Sequence, residues 1–370
     1  MNTTREIIDR LSEPGIFALS PKSRITHGLA KTTGRTVATL FVFLLGFCLT
    51  SWAASEKVLY AFHGTDGCGP TSVIVGPDGA LYGTTQAAGS STCSGDGDSG
   101  AIFQLTRGSD GKWSETVLHV FTGSDGWFPN GSLVADKAGN LYGTTVYGGP
   151  NGCSSLGCGV AFELERGDSG DWTFSVLHRF FQKAGDGAQP YAGMIFDSKG
   201  NLYGPTSHGC NTSACEGGCG VVFELSPVGK GKWKETVLYT FQGNDGDEPL
   251  GPMTFDSSGN LYGTTEWGGV YGSGTVFELR QQNGMWGEEI LHAFKGDTGD
   301  GDEPAYGLTF DRSGNLYGAT PFGGTEGMQG WGIAFKLTPA GGGKWKETIL
   351  HRFKPRQVGR GVRQIRTGAR

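Results

Sequence analysis

The chain has 370 residues, 67 of them glycine, with 11% aromatic and only 18% charged residues. That mixture, without a strict triplet period, excludes collagen and a disordered polyelectrolyte and suits many short strands joined by tight turns. Charge is uneven: 6 Lys+Arg and 3 Asp+Glu precede residue 55, and 6 and 0 follow residue 353, so 55–353 holds 18 against 33, a net −15, which argues against nucleic acid as a partner.

Residues 1–54 read as an export signal with a long basic N-region. Arg5, Arg10, Lys22, Arg24, Lys31 and Arg35 precede the uncharged run TVATLFVFLLGFCLTSWAA (36–54), with Ser51 and Ala53 at the small-residue cleavage positions. Left uncleaved, the run is just long enough to span a bilayer. Cleavage is the preferred reading, and in either form the body leaves the cytoplasm. The membrane is then met only through that segment. Phe47 stands where a lipoprotein signal needs a small residue, so Cys48 is not read as a lipid site.

From residue 57 onward the chain repeats itself. The Leu of an L-Y-G phrase falls at 81, 141, 202, 261 and 316, a spacing of 60, 61, 59 and 55 residues, and such periods belong to propellers and arrays. Each unit holds four strand-like runs, seen in the fourth unit as PMTFD (252–256), LYGTT (261–265), TVFEL (275–279) and WGEEILHAF (286–294). The third run alternates apolar with polar residues, the period of a half-buried strand. D-x-x-G-N joins the first two runs, and a Gly-rich turn joins the last two. Asp, Asn and Gly supply the local hydrogen bonds and left-handed backbone of tight hairpins.

Short joints between adjacent runs predict a four-stranded antiparallel meander. Five such sheets predict an all-β fold, a β-propeller of five blades, over 55–353 (units about 57–121, 122–180, 181–241, 242–294 and 295–353). One extra run, KVLYAF (57–62), resembles a fourth strand and precedes the first unit, so a partial sixth blade stays open. The Gly of L-Y-G is expected where a ring or backbone approaches closely. Trp113, Trp172, Trp233, Trp286 and Trp345 are expected to pack between blades. The basic tail 354–370 shares nothing with the repeat and is expected to be disordered.

D-x-x-G-N-L-Y-G-T-T, the GG-rich loop, G-x-V-F-E-L and W-x-E-T-V-L-H-x-F together resemble the GloVer tandem-repeat proteins, bacterial exported proteins grouped as "choice-of-anchor". The resemblance covers about 57–353 and implies an exported, propeller-like array; it brings no catalytic residues. The tail departs from that pattern, having no apolar anchor or sorting motif.

Individuality gathers in the loops after the second and fourth runs, which a meander places on one side, where binding usually resides. Candidate binding residues there are Trp127, Phe128, Tyr147, His208, Trp267, Tyr271, Phe322 and Trp331, able to stack on a sugar or peptide or to plug the loops. Asp-Gly recurs after every fourth run. Asp245, Asp247, Asp300 and Asp302 are weak Ca²⁺ candidates, no complete loop motif being present; otherwise no cofactor is expected. Cys68, Cys93, Cys153, Cys158, Cys210, Cys215 and Cys219 are disulfide candidates in an exported chain. The expected function is a binding or scaffold module for a glycan or protein at or outside the cell envelope, without catalysis. The alternative is a carbohydrate-active hydrolase or lyase drawing on Asp247, Glu248, Glu266, Asp302 or Glu303.

Overall fold

The computed structural model describes residues 57–88, 99–149, 153, 155–181, 185–209, 214–215, 217–296, 299–324 and 330–354. The export segment, Cys93, Cys210 and the tail beyond Lys354 lie outside them. The described residues contain no helix, hence none long and apolar enough to cross a membrane.

Five four-stranded antiparallel meanders follow one another. Sheet 1 is β1–β4 (Cys68–Val75, Leu81–Ala87, Ala101–Arg107, Trp113–Val120) and sheet 2 is β5–β8 (Val134–Ala135, Leu141–Thr145, Val160–Arg166, Trp172–Arg179). Sheet 3 joins β10 (Ile195–Phe196), β11 (Leu202–Thr206), β13 (Val221–Gly229) and β14 (Lys232–Thr240). Sheet 4 is β15–β18 (Thr254–Phe255, Leu261–Thr265, Thr275–Gln282, Met285–Ala293). Sheet 5 joins β20 (Thr309–Phe310), β21 (Leu316–Thr320), β23 (Ile333–Gly341) and β24 (Lys344–Arg352). The short pairs β9 (Gly187–Ala188) with β12 (His208–Gly209) and β19 (Gly301–Asp302) with β22 (Phe322–Gly323) tie the loop entering a sheet to the loop after its second strand. The bridges Trp127–Tyr147 and Asp247–Trp267 do the same in sheets 2 and 4. The two variable loop sets therefore share a side, as expected.

Each word of the repeated phrase has a mechanical reason. Asp256 Oδ1 accepts the amides of Ser258 (2.8 Å) and Asn260 (2.9 Å), while its Oδ2 accepts Asn260 Nδ2 (2.8 Å) and the Tyr262 hydroxyl (3.2 Å). Asp136, Asp197 and Asp311 repeat this clasp. At the Gly of L-Y-G, a Cβ on Gly263 would stand 2.6 Å from Phe277 Cζ, because the third strand's Phe lies across it. In sheets 2 to 5 the last Thr is buried and donates two residues onward, as Thr265 Oγ1 does to the Trp267 carbonyl at 2.9 Å.

In every sheet the pairing of third and fourth strands skips one Leu (118, 177, 238, 291, 350), a bulge that adds twist. Consecutive sheets pack through four apolar clusters, sheet 1 on 2, 2 on 3, 3 on 4 and 4 on 5. The closing Phe of one fourth strand meets the third-strand Phe of the next sheet, as Phe180 and Phe223 do at 5.1 Å. Trp172 packs on Tyr82 at 5.7 Å and Trp233 on Tyr142 at 6.0 Å, the inter-sheet role expected of the Trp series. The KVLYAF run differs: it forms no strand. A β-like sequence gains little from extension without a neighbour to complete its ladder.

Candidate functional site

All five sheets contribute to one cavity of about 540 Å³. Its wall is made where each chain enters a first strand: Gly69–Ser72, Asn130–Ser132, Tyr191–Gly193, Leu250 with Pro252, and Ala305–Tyr306, with Gln86 beside them. These segments follow a device repeated in every unit, a left-handed residue before a proline. Gly69, Phe128, Gln189, Glu248 and Glu303 have φ of 61°, 61°, 57°, 53° and 56°, and each precedes Pro. A non-glycine residue held there costs on the order of 1–3 kcal/mol and persists only where its surroundings over-determine it.

Those surroundings are visible. The amides of Phe128, Gln189, Glu248 and Glu303 donate to carbonyls of the preceding sheet's loop, at Ser99, Cys158, Cys219 and Ser273 (2.8–3.3 Å). The carbonyls of Phe128, Gln189 and Glu248 accept amides of their own sheet, at Val146, Ser207 and Glu266 (2.9–3.1 Å). The following proline ring seats against a glycine of the preceding loop, where a Cβ on Gly159 would meet Pro190 Cδ at 2.8 Å. Backbone geometry is thus constant while the residue varies from Gly through Phe and Gln to the Glu shared by sheets 4 and 5.

A polar chain runs along this rim. Gln86 Nε2 donates to Asn130 Oδ1 (2.9 Å), Asn130 Nδ2 to the Tyr191 carbonyl (3.1 Å), and the hydroxyls of Tyr191 and Tyr147 bond each other (3.2 Å). The Ser207 hydroxyl lies 2.8 Å from His208 Nδ1, and His208 Nε2 lies 3.8 Å from Glu248 Oε1. Burial raises the Glu266 carboxyl to about 7, reinforced by Glu248 and Glu303. Burial also raises Glu248, with His208 opposing and Asp247 adding. Asp247 is raised by burial, and Glu303 by burial and Asp302. Burial raises the Tyr191 hydroxyl, with Tyr147, Glu248 and Glu266 adding. Neutral carboxyls and phenols can donate to a ligand's oxygens, whereas ionised acids only accept.

The predicted aromatics divide by place. Trp127, Phe128 and Tyr147 pack together in sheet 2, with ring centroids 5.9 and 6.1 Å apart. Trp267, Tyr271, Phe322 and Trp331 stand exposed on the loops of sheets 4 and 5. His208 joins the carboxyl group through Glu248. Of the acids weighed for catalysis, Glu248, Glu266 and Glu303 interact with one another, while Asp302 is buried beneath. Gln86, Asn130, Gln189 and Tyr191 escaped the sequence reading. The recurrent x-Pro after each Gly-x (GCGP, GWFP, GAQP, GDEP) was the signal that could have found Asn130, Gln189 and Tyr191; Gln86 carries no such mark.

The weak cation candidates serve as turn acceptors or bridge loops. Asp245 accepts the Gln242 amide (2.7 Å) and the Tyr239 hydroxyl (2.6 Å), and Asp300 accepts the Gly301 amide (2.7 Å). Among the described residues, His178, Asp186 and Glu235, and likewise His292, Asp300 and Glu347, bring one nitrogen and two oxygens within 4.8 Å and could hold a metal ion. Sister junctions carry Tyr60–Asp66–Glu115 and Tyr239–Asp245–Glu288 in the same relation, with the Tyr hydroxyl donating to Asp at 2.6 Å. A phenol replaces the nitrogen there, so the plan is one of sheet junctions. Cys153–Cys158 and Cys215–Cys219 form disulfides inside the loops, and Cys68 is also bonded. Such bonds fit an oxidising compartment.

The sequence model described as the Gloeobacter/Verrucomicrobia repeat matches residues 152–368. No curated protein matches the sequence. Among solved structures, a protein of unknown function from Dyadobacter fermentans is similar at 12% identity and TM-score 0.49, over 80% of this chain and 85% of its own. A hypothetical selenium-binding protein from Sulfolobus tokodaii is similar at 12% identity and TM-score 0.50 over 79% and 68%. A Hadza microbial sialidase gives 13%, 0.47, 79% and 60%. At such identities a likeness concerns the fold alone.

Proposed function

The chain belongs to the Gloeobacter/Verrucomicrobia repeat family, and we propose that it is an exported binding module, its five sheets standing as propeller blades around the cavity and its loop rim receiving a glycan. One observation carries this reading. A left-handed backbone position that recurs in every sheet, at Gly69, Phe128, Gln189, Glu248 and Glu303, immediately precedes the segments that wall one cavity, and the strain it holds in four of the sheets is of the kind that collects at ligand sites. Glu266, protonated below about pH 7, and the Tyr147–Tyr191 hydroxyl pair supply donors and acceptors suited to hydroxyls. Exposed Trp267 and Trp331 supply faces on which sugar rings stack. Among the described residues these acids face the basic group His208 and otherwise one another, so neutral or amino sugars suit the rim better than uronic or sialic acids.

A glycan and cell-wall binding screen with the full chain tests this. Binding to neutral or amino glycans should fall at least tenfold when Trp267 and Trp331 are both changed to Ala, and separately with Glu266→Gln. Binding untouched by either change would remove the rim as the site. The hydrolase or lyase reading has its own support, since Glu266 near 7 beside a second carboxyl is the pairing of a general acid with a base. It requires new reducing ends or unsaturated products on incubation with the bound glycan, lost in Glu266→Gln; their absence would remove it.

A further inference from the structure

The four internal junctions follow one plan, against which the faces ending the array can be compared. Toward the next sheet, each sheet presents the Tyr of its second strand and the closing Phe of its fourth. Tyr82, Tyr142, Tyr203 and Tyr262 are 1–6% exposed, Phe121, Phe180, Phe241 and Phe294 at most 2%, and each of these Tyr rings meets a ring of the next sheet. In sheet 5 the same positions are uncovered. Phe353 is 43% and the bulged Leu350 52% exposed, and no aromatic partner for Tyr317 occurs among the described residues.

Sheet 1 mirrors this on its opposite side. Leu133, Met194, Met253 and Leu308 are 3–8% exposed, whereas Val73 at the equivalent position is 49%. Val75, 69% exposed, stands where Phe196, Phe255 and Phe310 cover the preceding Tyr. Part of that side is already occupied. Phe62 lies 4.9 Å from Phe103, the relation of Phe180 to Phe223, and the Tyr60 hydroxyl donates to Asp66 at 2.6 Å, as Tyr239 does to Asp245. Residues 58–62 thus sit as the fourth strand of a preceding sheet, yet no strand pairs with them among the described residues. Sheets 1 and 5 both reach the one cavity, through Gly69–Ser72 and Tyr306, and in the propeller arrangement of the proposed function their uncovered faces flank one opening.

We propose that this opening receives one three-stranded unit of the same repeat from another polypeptide, its third strand pairing along residues 58–62. The internal junctions specify its chemistry: a Phe before the acidic turn, the Leu of L-Y-G and a central third-strand Phe, which would cover Tyr317, Leu350 and Phe353. An extended chain with a free edge is a template for such addition. A second copy of this chain does not fit the role, because each of its three-stranded units is already paired to its own fourth strand. The inference shares with the glycan reading only the order of the sheets around the cavity, and its test does not involve the rim.

The probe is the three-stranded segment 250–283 of this chain, fused to a soluble carrier and added to the full chain. A one-to-one complex should form, with slowed amide exchange at Leu59–Phe62. Leu350→Lys should weaken it at least tenfold with an unchanged melting midpoint of the free chain, whereas Met285→Lys, at an exposed site on sheet 4, should not. The same segment joined after Lys354 by a flexible linker should raise the melting midpoint. No complex together with no rise, a complex leaving 58–62 unprotected, or one indifferent to Leu350→Lys would each overturn the proposal, as would a dimer of the chain alone that buries Leu350.

Discussion

Glu235→Gln is predicted to make stability less sensitive to alkali. Glu235, on β14, reaches back to the His178–Asp186 pair of sheet 2, whose Nε2 and Oδ1 are 3.2 Å apart. Its Oε1 is buried without a hydrogen-bond partner, and Asp186 is 5% exposed. Burial first, and Asp186 second, raise the Glu235 carboxyl from 4.5 to about 7. The folded pKa is above the unfolded one, so the group's contribution is complete below pH 4.5 and is lost as pH rises through about 7. At roughly 1.36 kcal/mol per pKa unit the bare loss is about 3.4 kcal/mol, and screening at this half-buried site reduces it to about 1–2 kcal/mol. Gln keeps the shape and cannot ionise. Guanidinium unfolding followed by Trp fluorescence at pH 4.5, 6, 7 and 8 should find the variant level with the parent at the acid end and about 1–2 kcal/mol more stable at pH 8. Parallel pH curves, or a less stable variant at pH 8, would refute the reasoning.

Gly263→Ala puts a methyl 2.6 Å from the Phe277 ring and should cost about 1–3 kcal/mol, read from denaturant midpoints. Phe294→Ala, at a fully buried position, should cost about 3–5 kcal/mol. The equivalent Phe353→Ala, 43% exposed, should cost under about 1 kcal/mol, and equal losses would mean that the last sheet is covered after all. Gln189→Gly relaxes a left-handed residue at φ 57° to the form that Gly69 already takes, and should leave stability unchanged or raise it by up to about 1 kcal/mol. On the glycan reading the same change weakens ligand binding, so calorimetry with a bound glycan and thermal melting should move in opposite directions.

Much of the construction is legible residue by residue. The five L-Y-G phrases, the four D-x-x-G-N turns and the Trp series fall into strands, turns and inter-sheet contacts as their chemistry requires, because these are local hydrogen bonds and short-range packing repeated from unit to unit. The recurrent Asp of the loops accepts turn amides, with Thr122 N donating to Asp125 at 2.8 Å and Gln242 N to Asp245 at 2.7 Å. The fourth-strand His is only half legible: it lies in its strand, but His119 and His178 also bond Asp125 and Asp186 at 3.1 and 3.2 Å. KVLYAF carries strand chemistry yet forms no strand, since a ladder needs a second chain segment that composition cannot announce.

The sequence alone determined that the repeat builds four-stranded meanders, their strand order and the side on which the variable loops gather, all consequences of periodicity and joint length, while leaving a partial sixth unit open. Only the tertiary structure decided which loop residues meet. Glu248, Glu266 and Glu303, up to 55 residues apart, share one field, and Gln189 holds a backbone angle imposed by the neighbouring sheet's carbonyl. It also decided which faces stay bare, for Phe353 and Phe294 end near-identical words, and only the presence or absence of a following sheet separates them.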